Sequence, residues 1–122
     1  MSDSRDERLA YIANRIRLIY VGLVDACEAL PLPITLPKGS DVTNVEAIPA
    51  VRRVAEISEE EPMPEEQRAQ LFTAAIMWLM AMDLYGLLVR FDYADARADG
   101  AQAALMLAHD AVTDLGAWLL NE

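Results

Sequence analysis

Between Leu71 and Phe91 only Thr73, Asp83 and Arg90 break an otherwise apolar run of Leu, Phe, Ala, Ile, Met, Trp, Tyr, Gly and Val. A helix on a protein surface needs an apolar stripe about 100° wide, and a helix over this segment would be apolar nearly all round. Such a helix cannot stand alone in water. The run is long enough to cross a bilayer, but Asp83 at its middle and Arg90 near its end make a buried helix of a water-soluble domain the cheaper solution. No membrane partner is expected. The segment therefore demands neighbours, from the same chain or from another.

The rest of the chain supplies helices to meet that demand. Leu9, Ile12, Ile16, Ile19, Leu23, Ala26 and Leu30 recur at alternating spacings of three and four, a seam suited to left-handed helix packing, and Tyr20, Val24 and Cys27 widen it. Ser4 with Glu7 has the spacing of a capping box at its start, and Pro31 stops it. Pro31, Pro33 and Pro37 make an extended connector. Thr43 and Glu46 repeat the capping spacing before a short stripe of Val45, Ile48, Val51, Val54 and Ile57. Pro49 within this stripe predicts a short second helix, because a proline is tolerated only near a helix start. Ser58–Pro64 reads as an exposed acidic linker. A third helix is expected from about Glu65 to at least Tyr93, with Gly100 as its stop; unbroken, it would exceed 30 residues and about 50 Å. It must then bend near Gly86 or Asp92, or project onto another subunit. Ala101, Leu105, Ala108, Val112, Leu115 and Leu119 predict a fourth helix from Ala101 to Leu120.

The expected fold is all-α: one domain over 1–122, a small bundle of about four helices with a long central helix and a C-terminal antiparallel helical hairpin. Residues 31–44 and 58–64 are its exposed connectors. No strand-like alternation and no internal repeat is present.

Charge narrows the function. Ten Lys plus Arg face twenty Asp plus Glu, a net charge of −10, which disfavours direct binding to nucleic acid or an anionic membrane. The N-terminal residues carry both signs of charge and lack a signal peptide's apolar core, and the single cysteine cannot form an internal disulfide, so the expected location is cytoplasmic.

Chemistry-bearing residues are few. Cys27 sits on an apolar stripe between Asp25 and Glu28, the wrong setting for a thiolate. His109 is the only histidine and has no ligand at metal-binding spacing. Asp95, Arg97 and Asp99 resemble the start of a calcium loop, but Arg97 occupies a ligand position and Met106 stands where the closing Glu belongs. They read as a solvated helix end. No catalytic residue, cofactor or metal site is expected. Asp83 must be paired or stand at a helix flank facing water; Arg90, two turns on, is the expected partner within the chain, and a contact to another protein is the alternative.

The candidate site is instead a protein interface on the third helix, made by Met77, Trp78, Met80, Met82, Leu84, Tyr85 and Leu88. These flexible and aromatic side chains favour recognition surfaces. The flank bearing Met77, Met80, Leu84 and Leu88 is the expected contact.

The stretch TAAIMWLMAMDLYGLLVRF followed by AQAALMLAHDAVTDLGAWLL, within residues 67–120, resembles the helical hairpins of small bacterial and phage-borne regulators such as quorum-sensing antiactivators. The resemblance rests on size, acidity and helix pattern, with no diagnostic motif, and carries no residue over. It implies a dimeric, non-catalytic inhibitor of a regulatory protein such as a transcription factor. The expected function is therefore a homodimer that binds another protein, one with a basic surface. The alternative is an acidic mimic of nucleic acid, for which the carboxylates should lie in regular rows.

Overall fold

A computed structural model describes residues 2–121, with side chains from Ser4 to Asn121. Four α-helices make the fold: α1 Ser2–Ala29, α2 Asn44–Ile57, α3 Glu65–Arg90 and α4 Asp95–Leu120, with a short 3-10 turn at Ser58–Glu60. No strand occurs among the described residues.

The seam of α1 is buried as its spacing predicts: Ile12, Ile16, Ile19, Leu23 and Ala26 are in the core, with Cys27 beside them. The helix already runs at Ser2, so Ser4 lies inside it and the expected Ser4–Glu7 capping box does not form its start. Its end fits expectation, at Ala29, because a residue before proline avoids the helical conformation.

The connector after α1 is less exposed than its composition suggests. Ile34 and Leu36 are buried, and the Tyr20 hydroxyl donates to the Pro37 carbonyl. Lys38 Nζ reaches Glu28 Oε2 at 2.6 Å. Gly39 turns the chain with φ 114°, a left-handed conformation that glycine adopts without strain. The second connector also departs from expectation. Ser58, Glu61 and Met63 are all buried, and the Ser58 hydroxyl donates to the Ala55 carbonyl at 2.9 Å.

Helix α2 starts where its capping residues say. Glu46 Oε1 accepts from the Thr43 backbone N–H at 3.2 Å and from its hydroxyl at 3.1 Å. Pro49 lies inside this 14-residue helix. Its ring nitrogen cannot donate to the carbonyl of Val45, four residues back, but Val45 is 84% exposed, so water can serve that group. Ala47, Val51, Val54 and Ala55 face the core, whereas Val45 and Ile48, expected on the same buried stripe, face out.

The long central helix ends earlier than its apolar run predicts. α3 stops at Arg90, and residues 91–94 turn the chain into α4. Gly100, expected to stop α3, is instead the sixth residue of α4. Its role is packing: a Cβ there would sit 3.3 Å from Leu84 Cδ1, so the missing side chain lets α3 approach. The two helices are 26 residues each, about 39 Å, and pair along their length as an antiparallel hairpin. The residues expected to extend α3 form the turn at 91–94 and the start of α4.

Helix α1 closes the bundle against both. Near its start Arg8 donates to Gln102 Oε1 at 2.7 Å and pairs with Asp99, while further on Gly22 passes Val112 so closely that a Cβ would stand 3.0 Å from it. α1 therefore runs parallel to α4 and antiparallel to α3. Alanines form much of the shared core (Ala74, Ala75 and Ala81 on α3; Ala98, Ala101, Ala104 and Ala108 on α4), and small side chains let helix axes come close. α2 packs only on α3.

Candidate protein interface

The seven side chains expected at an interface separate once the helices pack. Trp78, Met82 and Leu88 are core, 2%, 8% and 3% exposed. The Trp78 indole N–H donates to the Ile16 carbonyl at 2.9 Å, and its ring lies 5.5 Å from that of Tyr20. Burying an indole while satisfying its one donor fixes the α1–α3 register. Met77, Leu84 and Tyr85 are half-buried against the core, Leu84 lying over Gly100. Met80 alone of the seven is solvent-facing, at 48%. Met77, Leu84 and Leu88 of the expected flank are thus turned to the core, Leu84 against α4, and only Met80 is left open.

The open face of α3 lies one step further around the helix. Phe72, Ile76, Met80, Asp83, Leu87 and Arg90 recur at spacings of three and four and are exposed or half-buried. Val89 and Phe91 continue the apolar surface at the end of the helix, and Ile48 of α2 borders it. A groove of about 840 Å³ runs between α2 and α3 here, with Ile48, Leu79, Met80 and Leu87 as apolar lining and Arg52, Asp83 and Arg90 as its charges. Reading the sequence missed Ile76, Leu87, Val89, Phe91 and Ile48. The three-four spacing of the α3 stripe was available, but the apolar neighbours on every other face masked it.

Asp83 and Arg90 do not form the expected intrachain pair; among the described residues neither has an ionic partner. The reason is distance. Seven residues return a side chain to nearly the same face but advance it about 10 Å, whereas helix pairs that touch are three or four apart. Asp83 is exposed, so water hydrates it and no burial cost arises.

A second groove, about 800 Å³, lies between α1, the connector near Lys38 and α3. Tyr20, Trp78, Met82 and Tyr85 line it, with Arg17 and Lys38 at its rim.

The remaining candidates are structural. Cys27 is 0% exposed, and burial, helped by nearby Glu61, pushes its thiol up to about 12, so it stays protonated. His109 is exposed, with Nδ1 3.7 Å from Asp110 Oδ1. Asp99 and Asp95 are more than a solvated helix end, since both approach Arg8 of α1, Asp95 at 3.9 Å. Among the described residues no three His, Cys, Asp or Glu side chains converge as metal ligands would. Glu61 is buried with one carboxylate oxygen unpartnered; burial raises its pKa, and a hydrogen bond from the Leu32 backbone partly opposes this.

Helices α3 and α4 are each long and apolar enough to cross a membrane by length and composition. The core helix of a soluble protein passes the same test, and 33% and 28% of the two apolar windows are buried within the fold.

Comparison with known proteins returns no match, whether against protein families, curated proteins or solved structures.

Proposed function

We propose that this chain is a non-enzymatic, homodimeric interaction protein of the cytoplasm that binds and blocks a regulatory protein, as the antiactivator resemblance implies. One observation carries the reading. Met80, Val89 and Phe91, each close to half exposed or more, gather with Ile48 around the α2/α3 groove. Large apolar side chains gathered in one place, rimmed by charge, mark protein recognition surfaces, whereas scattered ones do not. The net charge of −10 would steer the protein toward a basic surface and raise the encounter rate at low salt. The carboxylates favour this over mimicry of nucleic acid: Glu59, Glu60, Glu65 and Glu66 cluster around the second connector and do not form rows along a helix.

The test is capture of partners from the native host by the unmodified protein, by Met80→Glu and by Phe91→Glu. Both changes lie on exposed positions and should leave helix content and thermal midpoint unchanged while abolishing capture of the same proteins. Identical capture by all three would sink the proposal.

A further inference from the structure

Asp83 and Arg90 share one face of α3, two turns apart, and neither is paired within the chain. Between them lie Gly86, over which an added Cβ would meet nothing within 4 Å, and half-buried Leu87. This arrangement has a symmetry of its own. A two-fold axis perpendicular to α3, passing between Gly86 and Leu87, brings a second α3 antiparallel onto the first. Each residue then faces the one whose number completes 173: Asp83 meets Arg90 of the second copy, and Arg90 meets its Asp83. The Leu87 side chains of the two copies meet beside the axis on one flank, and the two Gly86 residues let the helices approach closely on the other. Phe91 arrives within a turn of Met80 of the second copy, on the same flank.

We propose that the α2/α3 face is the contact of an antiparallel homodimer, held in register by two reciprocal Asp83–Arg90 ion pairs around a Gly86–Leu87 centre. It rests on the reading of this face as a protein interface: a second copy occupies it in the free protein, and a captured regulatory protein would displace that copy. Charge complementarity selects a second copy. A foreign helix would need an acid and a base of its own at this spacing and in reversed order, which this chain already supplies. An isologous contact of this kind is also the commonest form of soluble oligomer. An interface of standard size removes about 800 Å² from each partner. The accessible surface here is 7411 Å², so roughly a tenth of it would be covered.

Sedimentation or light scattering from about 1 to 100 μM, the range where a useful dimer would form, measures the association directly. The unmodified chain should be dimeric. Asp83→Arg sets guanidinium against guanidinium, and Arg90→Asp sets carboxylate against carboxylate. Each should raise the dissociation constant tenfold or more, the factor that about 1.4 kcal/mol represents. The double change, Asp83→Arg with Arg90→Asp, should bring it back close to the original value. Gly86→Leu, which has open space in the protomer, should keep the helical spectrum and lose the dimer. A monomer at every concentration would overturn this inference; loss of captured proteins in Met80→Glu would still support the interface itself. A dimer indifferent to all four changes would place the contact on another face and equally overturn it.

Discussion

Helix α3 meets α1 and α4 along one side and the 14-residue α2 with the 3-10 turn that follows it along the other. On the first side Trp78, Ala74, Ala75 and Ala81 are packed to near-zero exposure, and the indole N–H is bonded to α1. On the second, Phe72 and Met80 stand almost half exposed, with unpaired Asp83 and Arg90 among them. Hydropathy hardly distinguishes the two sides. They differ in where charge is placed. Alanines with Leu71, Trp78, Met82 and Leu88 make the side that closes within the chain, and apolar residues with the unpaired charges of Asp83 and Arg90 make the side left open.

The largest expected contrast comes from truncating one residue on each side. Trp78→Ala should cost about 3–5 kcal/mol in denaturant unfolding, since it leaves a cavity and strips the Ile16 carbonyl of its extra donor. Phe72→Ala, measured in dilute monomer, should stay within about 0.5 kcal/mol. Similar losses at both sites would erase the distinction.

Alkaline pH probes the closed side next. The Cys27 thiol ionises near 9 when unfolded and only near 12 when folded, so above pH 9 the unfolded chain releases a proton that the folded chain keeps. The Cys27 contribution to stability should be constant below pH 9 and fall as pH rises toward 12, by at most about 1.4 kcal/mol per pH unit. The Tyr20 phenol, also raised by burial, acts in the same direction. Cys27→Ala should flatten part of this slope, as read by denaturant titration at stepped pH; an unchanged slope would assign it all to other groups.

Two glycines sharpen the comparison. Gly22→Leu drives a side chain into Val112 of α4 and should destabilise by about 1–3 kcal/mol. Gly86→Ala, on the open side, should stabilise the dilute monomer by up to about 1 kcal/mol, because alanine favours the helix and nothing is in its way. Thermal melts of the pair give opposite signs if the two faces differ as described.

The smallest effect belongs to Arg8, which ties the start of α1 to Asp99 and Gln102 at the solvent edge. Arg8→Gln should lower the thermal midpoint slightly, by an amount that shrinks as salt is added. A large, salt-independent drop would mean that this contact holds the bundle closed.

Much of the architecture could be read from residue order because it depends on local rules. The seam of α1, the capping Glu46 and the stop before Pro31 are decided within a few residues, and the structure follows them. The end of α3 was not readable that way. Gly100 has the right chemistry for a helix stop, but it serves as the gap through which Leu84 passes, a role that exists only once α4 lies alongside. The connectors read as exposed from their prolines and glutamates, yet Ile34, Leu36, Ser58 and Met63 are drawn inward by the helices they join. The site was legible only as far as its helix. Trp78 and Met82 were assigned to the interface because an all-round apolar helix conceals which side its neighbours will take.

By itself the sequence determined that this chain forms helices, that α3 must be covered and that the molecule is acidic, since periodicity, hydropathy and charge are properties of residue order. Only the tertiary structure decided which flank of α3 was left uncovered. α4 matches α3 in length and α1 matches their alanine seam, so together they close one side, while α2 reaches only part of the other. That division turned Trp78 into core, left Met80 at the surface, and set Asp83 and Arg90 on an open face about 10 Å apart, too far to pair within one chain.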